Sequence, residues 1–186
     1  MKKVMLLTIV LLMVFSIDNY GQDAPKFPID EQSGKIVYTE VVNIDSTSRS
    51  ELYLRAKTWF VHNFNSANNV IQLDDKESGK LIGNALFDVR LSLMSKQNAG
   101  FVRFLVEIQV KDGRYKYTFT DFWHEAGTTD IATPGDLTLK EPGGGIMSMG
   151  IKNWNGIKSQ TISTVTSMIL SLKLAMKGNP DDKDKW

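Results

Sequence analysis

Apolar and polar positions along this chain follow two rhythms, one with steps of three and four residues and one that simply alternates. The first rhythm runs through Leu52, Ala56, Trp59, Phe60, Phe64 and Ala67, and leaves Arg55, Lys57, Thr58, His62 and Asn65 largely on the other side. That is the period of a helix with one buried face. Ser48 and Glu51 precede it as a capping box, in which the serine hydroxyl accepts from the Glu51 amide and the glutamate reaches back to the cap. Asn68-Asn69 is the expected stop. The same rhythm returns in Ile162, Val165, Ile169, Leu172 and Met176, within a helix from about Trp154 to Lys177 that Gly178 and Pro180 end.

The alternating rhythm predicts strands. An arm with two prolines, Gln22 to Ile29, and a turn over Asp30 to Lys35 lead into the β-rich run Ile36 to Ile44. Val70 to Leu73 and Lys80 to Leu93 read as two strands joined across Asp74 to Gly79. In the longer one Leu81, Gly83, Ala85, Phe87, Val89, Leu91 and Leu93 share the inward parity. Gly83 and Ala85 leave room on that face for a close neighbour, or mark a bend. The clearest strand carries Val102, Phe104, Val106, Ile108 and Val110 on one side, with Arg103, Leu105, Glu107 and Gln109 on the other.

Asp112-Gly113 is a preferred pair for a two-residue hairpin turn, since both central positions take positive φ. Counting outward sets Val110 opposite Tyr115, Ile108 opposite Tyr117, Val106 opposite Phe119 and Phe104 opposite Asp121, all on the apolar face. By the same count Asp121, Trp123 and Glu125 point one way and His124 the other. From Ala126 to Lys152 the chain holds Pro134, Pro142, Gly127, Gly135, Gly143, Gly144, Gly145 and Gly150 with little periodicity, a long loop expected to be a mobile lid or an interaction segment. The order β-α-β-β-β-β-α predicts an α+β domain, one antiparallel sheet with two helices packed on it.

Composition narrows the chemistry. The 186 residues include no cysteine, which excludes disulfides, thiolate metal sites, thiol nucleophiles and a lipid-modified N-terminal cysteine. Lys2 and Lys3 precede an apolar run from Val4 to Ile17, too short to span a bilayer, and Asp18 to Gly21 then end it. Residues 1–21 therefore read as a signal peptide cut before Gln22, and the protein is expected in the periplasm or outside the cell, with no membrane span after cleavage. Its removal lowers Lys+Arg from 22 to 20 and Asp+Glu from 21 to 20, leaving a mature chain with no net charge. Such a chain lacks the cationic excess that nucleic-acid binding needs. Residues 22–178 read as a single domain able to bury a core without a metal or cofactor, and 179–186 as a disordered tail.

The candidate chemistry clusters where the second hairpin strand ends. Asp121, His124 and Glu125 are residue types that bind metals or exchange protons, but strand parity keeps His124 from meeting the two carboxylates without a bulge. No catalytic set and no metal site is assigned. His62 lies alone on the polar side of its helix. The glycine cluster fits no phosphate loop: Ser148 stands where G-x-G-x-x-G needs its last glycine, and Ile151 where a P-loop needs lysine. Asp121 on the apolar face needs a partner, either a structural one or a ligand. Asp121, Trp123 and Glu125, next to the Gly-rich loop, form the candidate ligand-binding set. The outward row Arg103, Glu107, Gln109, Lys111, Arg114 and Lys116 is a solvated face, or a second surface for a glycan or peptide.

The strings FPIDEQSGKIVYTEVV (Phe27 to Val42), RAKTWF (Arg55 to Phe60), VIQLDDKESGKLIG (Val70 to Gly83) and VKDGRYKYTFTDFWHE (Val110 to Glu125) resemble a Bacteroidetes-type secreted family of unknown function with a TBP-like fold, domain of unknown function 4468. The resemblance implies a curved antiparallel sheet with helices on one face, and export. It brings no catalytic residues. The expected function is that of a non-catalytic secreted or periplasmic binding domain, its partner an envelope protein, peptide or glycan. The alternatives are an envelope hydrolase working through Asp121, Glu125 or His124, and a structural subunit docked on another envelope protein by strand addition.

Overall fold

The computed structural model describes residues 24–64, 70–90, 98–125, 135–142 and 150–178. The expected signal peptide, the C-terminal tail, Ala67, Leu91, Leu93 and most of the Gly-rich segment lie outside the described residues.

In chain order the elements are β1 (Tyr38–Asn43), α1 (Arg49–Asn63), β2 (Ile71–Asp75), β3 (Lys80–Arg90), β4 (Asn98–Lys111), β5 (Arg114–Glu125), β6 (Gly135–Asp136) and α2 (Ile151–Lys177). They build an α+β domain around one open, curved antiparallel sheet with strand order β1-β5-β4-β3-β2, to which β6 adds by pairing with β5. Both helices cover one face. The inward residues of β4, Val102 through Val110 at alternate positions, are all buried, as are Leu81, Ala85 and Val89 of β3. Leu52, Ala56, Trp59 and Phe60 of α1 and Val165, Ile169, Leu172 and Met176 of α2 close the core over them.

Ser48 caps α1, its hydroxyl accepting from the Glu51 amide at 3.3 Å. Glu51 itself turns along the helix to Arg55 instead of back to the cap, at 2.8 Å. Arg55 in turn donates to the Met176 and Lys177 carbonyls, satisfying acceptors that the end of α2 leaves open. At Gly83 the sheet comes so close to α1 that a Cβ would lie 2.7 Å from Phe60 Cε1, so the small residues of β3 do admit a close neighbour.

The β4–β5 hairpin keeps the counted register from Lys111↔Arg114 as far as Leu105↔Thr120. Gly113 turns it at φ 73°. The turn is held in place: the Ile44 amide donates to the Gly113 carbonyl, the Gly113 amide to the Thr47 carbonyl, and the Arg49 amide to Asp112 Oδ1. Beyond Leu105 the register shifts, and Arg103 pairs with Trp123. The expected pairing of Phe104 with Asp121 is therefore replaced by a β-bulge. Three further expectations change. The segment 126–152 contains β6 and a turn, not unbroken loop; α2 starts at Ile151, three residues before Trp154; and α1 ends at Asn63, before Asn68-Asn69.

Candidate functional site

The bulge makes the site. Opposite Phe104, β5 places two residues where an even ladder has one, and Asp121 takes φ 56°, a left-handed conformation that aspartate accepts more readily than bulky residues. One extra residue reverses the facing of everything after it. Phe122 turns inward and stacks on Phe104 with ring centroids 5.5 Å apart. His124 turns inward and is fully buried, whereas Trp123 faces out with 42% of its surface exposed. Asp121 and Trp123 are thus not on the apolar face where counting put them. Asp121 is exposed at the bulge, and its carboxylate takes the Lys35 ammonium at 2.7 Å.

A groove of about 400 Å³ opens at this point. Along the outer edge of β5, β1 pairs with residues 114–119 and β6 with residues 123–124, so the bulge falls in the gap between the two neighbours. One wall is the turn before β1, where Asp30 accepts from the Ser33 amide and hydroxyl, Gly34 takes φ 67°, and Ile29 bridges Ile36. Asp121, Phe122, Trp123 and Arg103 line its base, and Asp136 and Thr138 its far side. The indole of Trp123 rests on Gly135, where a Cβ would come within 2.7 Å of the ring, and Arg103 stands 5.8 Å from the ring centroid. Arg103 also pairs with Glu125. The bond to Asp121 and its charge raise the pKa of Lys35 above the ordinary lysine value.

The far side is anchored from beneath. Asp136 Oδ1 accepts from the Thr138 amide at 2.8 Å, Leu137 is fully buried, and the Leu139 carbonyl accepts from both Trp154 Nε1 at 3.0 Å and the Lys158 ammonium. Burial lowers the Lys158 pKa, against a smaller opposing effect of Asp136. His124 packs edge-on against Trp154 at 5.9 Å, and its Nε2 meets the Ala99 carbonyl at 2.8 Å. Its Nδ1 is buried with no hydrogen-bond partner among the described residues. Burial pushes the imidazole pKa below its ordinary value.

Of the residues singled out in the sequence, the structure brings Asp121 and Trp123 into one groove, with Glu125 joined to it through Arg103. His124 is on the opposite face, apart from both carboxylates, so the acid/base cluster is not assembled. Lys35, Asp136 and Thr138 were not legible as site residues. The bulge, however, left a trace: the apolar residues of β5 step by two through Tyr115, Tyr117 and Phe119, then by three to Phe122, with Asp121 in the break. Among the described residues no group of three or more His, Asp or Glu could hold a metal ion, and no helix is long and apolar enough to cross a membrane.

A curved antiparallel sheet with one open face and both helices on the other defines a TBP-like domain. Residues 38–125 match the family described as a domain of unknown function (DUF4468) with TBP-like fold. A DUF4468 family protein from Bacteroides ovatus has a similar structure, with TM-score 0.62 and 14% identity over 84% of this chain and 94% of that one. A TBP-like protein from Parabacteroides distasonis is similar at TM-score 0.55 and 14% identity, over 78% and 96% of the two chains. These likenesses are of fold. No curated protein matches the chain.

Proposed function

We propose that this chain is a non-catalytic binding domain, exported to the periplasm or beyond, that holds a peptide or glycan of the cell envelope in the groove at the β5 bulge. The observation that carries this reading is the outward Trp123, a half-exposed indole set in a groove between the Lys35–Asp121 and Arg103–Glu125 pairs. An aromatic wall covers the apolar face of a sugar ring or side chain, while the flanking charges and the Thr138 and Ser33 hydroxyls orient its polar groups. A binding role is favoured over hydrolysis because both carboxylates already hold cations and His124 is turned into the core.

The test uses exported protein, whose N-terminus is expected near Gln22; recovery with Val4 to Ile17 still attached counts against export. Envelope glycan fragments and peptides are titrated calorimetrically into wild type, Trp123→Ala and Asp121→Asn. Binding that weakens about tenfold or more in Trp123→Ala supports the groove, since a stacked aromatic and its buried area are worth about that much. Binding that is unchanged in both variants removes it.

A further inference from the structure

A second feature lies at the other end of the sheet face that the helices leave open. Lys111 and Arg114 are directly opposite one another beside the hairpin turn, and in the next row Lys116 stands between Val41 and Gln109. Like charges placed opposite one another destabilise a sheet. The nearby carboxylates form no ion pair with these three side chains among the described residues. Asp112 Oδ1 is taken by the Arg49 amide at 2.7 Å, and Glu107 holds Lys80 at 3.0 Å and the Gln109 amide, feeling Lys116 only as a weaker, more distant charge. The ion pairs among the described residues engage Lys35, Arg55, Lys57, Lys80, Arg103 and Lys173, and none of Lys111, Arg114 or Lys116. These three cations line a shallow groove of about 170 Å³ with Val41, Gln109 and Tyr115. The groove rests on a turn fixed by three hydrogen bonds to the chain between β1 and α1.

We infer that this groove binds a phosphate- or sulfate-type oxyanion, held by Lys111, Arg114 and Lys116. A concave cluster of cations outside the ion pairs of the described residues, carried on a fixed turn, is what such an anion requires: it converts their mutual repulsion into charge-assisted hydrogen bonds. The exposed Val41 beside it is compatible with a small phosphorylated molecule and with a phospholipid headgroup alike.

Inorganic phosphate is titrated into the full chain at low ionic strength, following backbone amide shifts by NMR and thermal melting, with chloride at matched ionic strength as control. Saturable shifts confined to residues around 109–116 and a raised melting temperature are expected. The double variant Arg114→Gln/Lys116→Gln is expected to bind at least about tenfold more weakly, the loss of two charged hydrogen bonds. Without phosphate it is expected to melt above wild type, because the repulsion is relieved. Absence of saturable shifts, an equal effect of chloride, or unaltered binding in the double variant overturns the inference. Phosphatidylglycerol and phosphatidylcholine vesicles then separate the sources. Sedimentation with the anionic vesicles alone, reversed by phosphate, assigns the oxyanion to a lipid; phosphate binding without sedimentation assigns it to a soluble molecule; sedimentation that persists in the double variant overturns the site.

Discussion

Replacing Gly83 with alanine tests how the sheet and α1 are fitted together. The new methyl carbon would lie 2.7 Å from Phe60 Cε1, 3.1 Å from Val70 Cγ1 and 3.3 Å from the Val70 carbonyl oxygen. Carbon atoms in contact settle at about 3.5–4.0 Å, so the Phe60 ring must retreat by on the order of 1 Å. It has nowhere empty to go. Phe60 is fully buried, edge-on to Trp59 at 5.2 Å and tilted against Phe64 at 5.7 Å. Overpacking of this kind costs about 1–3 kcal/mol, and the stiffer unfolded chain of alanine offsets about 0.4–1 kcal/mol of it. The expected net loss is about 1–2 kcal/mol, which lowers the melting temperature of a chain this size by about 2–8 °C. Urea denaturation followed by circular dichroism measures the free energy, and the same variant in a Phe60→Leu background isolates the contact. Removing the ring should reduce the cost of Gly83→Ala by at least about 0.5 kcal/mol. A variant that melts at or above wild type, or costs the same with leucine at position 60, refutes the close approach.

Two further outcomes concern the site and its underside. Because burial lowers the folded-state pKa of His124 below that of the unfolded chain, the unfolded state binds the extra proton first; stability should hold above about pH 6.5 and fall as pH drops through the window beneath it. Urea midpoints across that window should show this slope in wild type and lose it in His124→Gln, and a slope of equal size in both would remove His124 as the cause. Gly135→Ala meets a backbone at φ 75° and the Trp123 ring at once, so it should cost about 1–2 kcal/mol and displace the indole. Acrylamide quenching and the Trp123 indole NMR signal report this, and an unmoved ring would mean that Gly135 does not support it.

The framework was legible because burial and period reinforce each other over long elements. From Phe101 to Lys111 of β4 each buried position is apolar and each alternate one carries a polar or partly exposed residue, and the Asp112-Gly113 pair fixes where its partner begins. The site was less legible because it depends on a break in that period. Counting from the turn assumes one residue per step, and the left-handed Asp121 adds a residue that no count supplies. The facing of Trp123 and His124 came out inverted for that reason alone. Lys35 reaches the site from 86 residues away in sequence, and Asp136 from a two-residue strand, too short to register as a pattern. The basic residues near the turn read as an outward row; their opposition in register, and their place outside the ion pairs of the described residues, follow only from the folded chain.

Separating the two stretches of β5 also sets what sequence drift can do to this protein. Ahead of the bulge, an inward residue such as Phe119 is committed to packing, and change there is felt by Trp59 of α1. Past it, Phe122 and His124 keep the core filled, which releases positions 123 and 125 from packing in the core. A lineage can therefore exchange the residues at 35, 103, 123 and 136 one at a time and acquire a new preference on an unaltered frame. Loss of the single residue at 121 has the opposite character: Phe122 would then pair with Phe104 in an even ladder, with Trp123 still outward and His124 still inward, so the bulge and the Lys35–Asp121 pair would go while the core stayed as it is. Length variation at this point changes kind, and substitution changes degree.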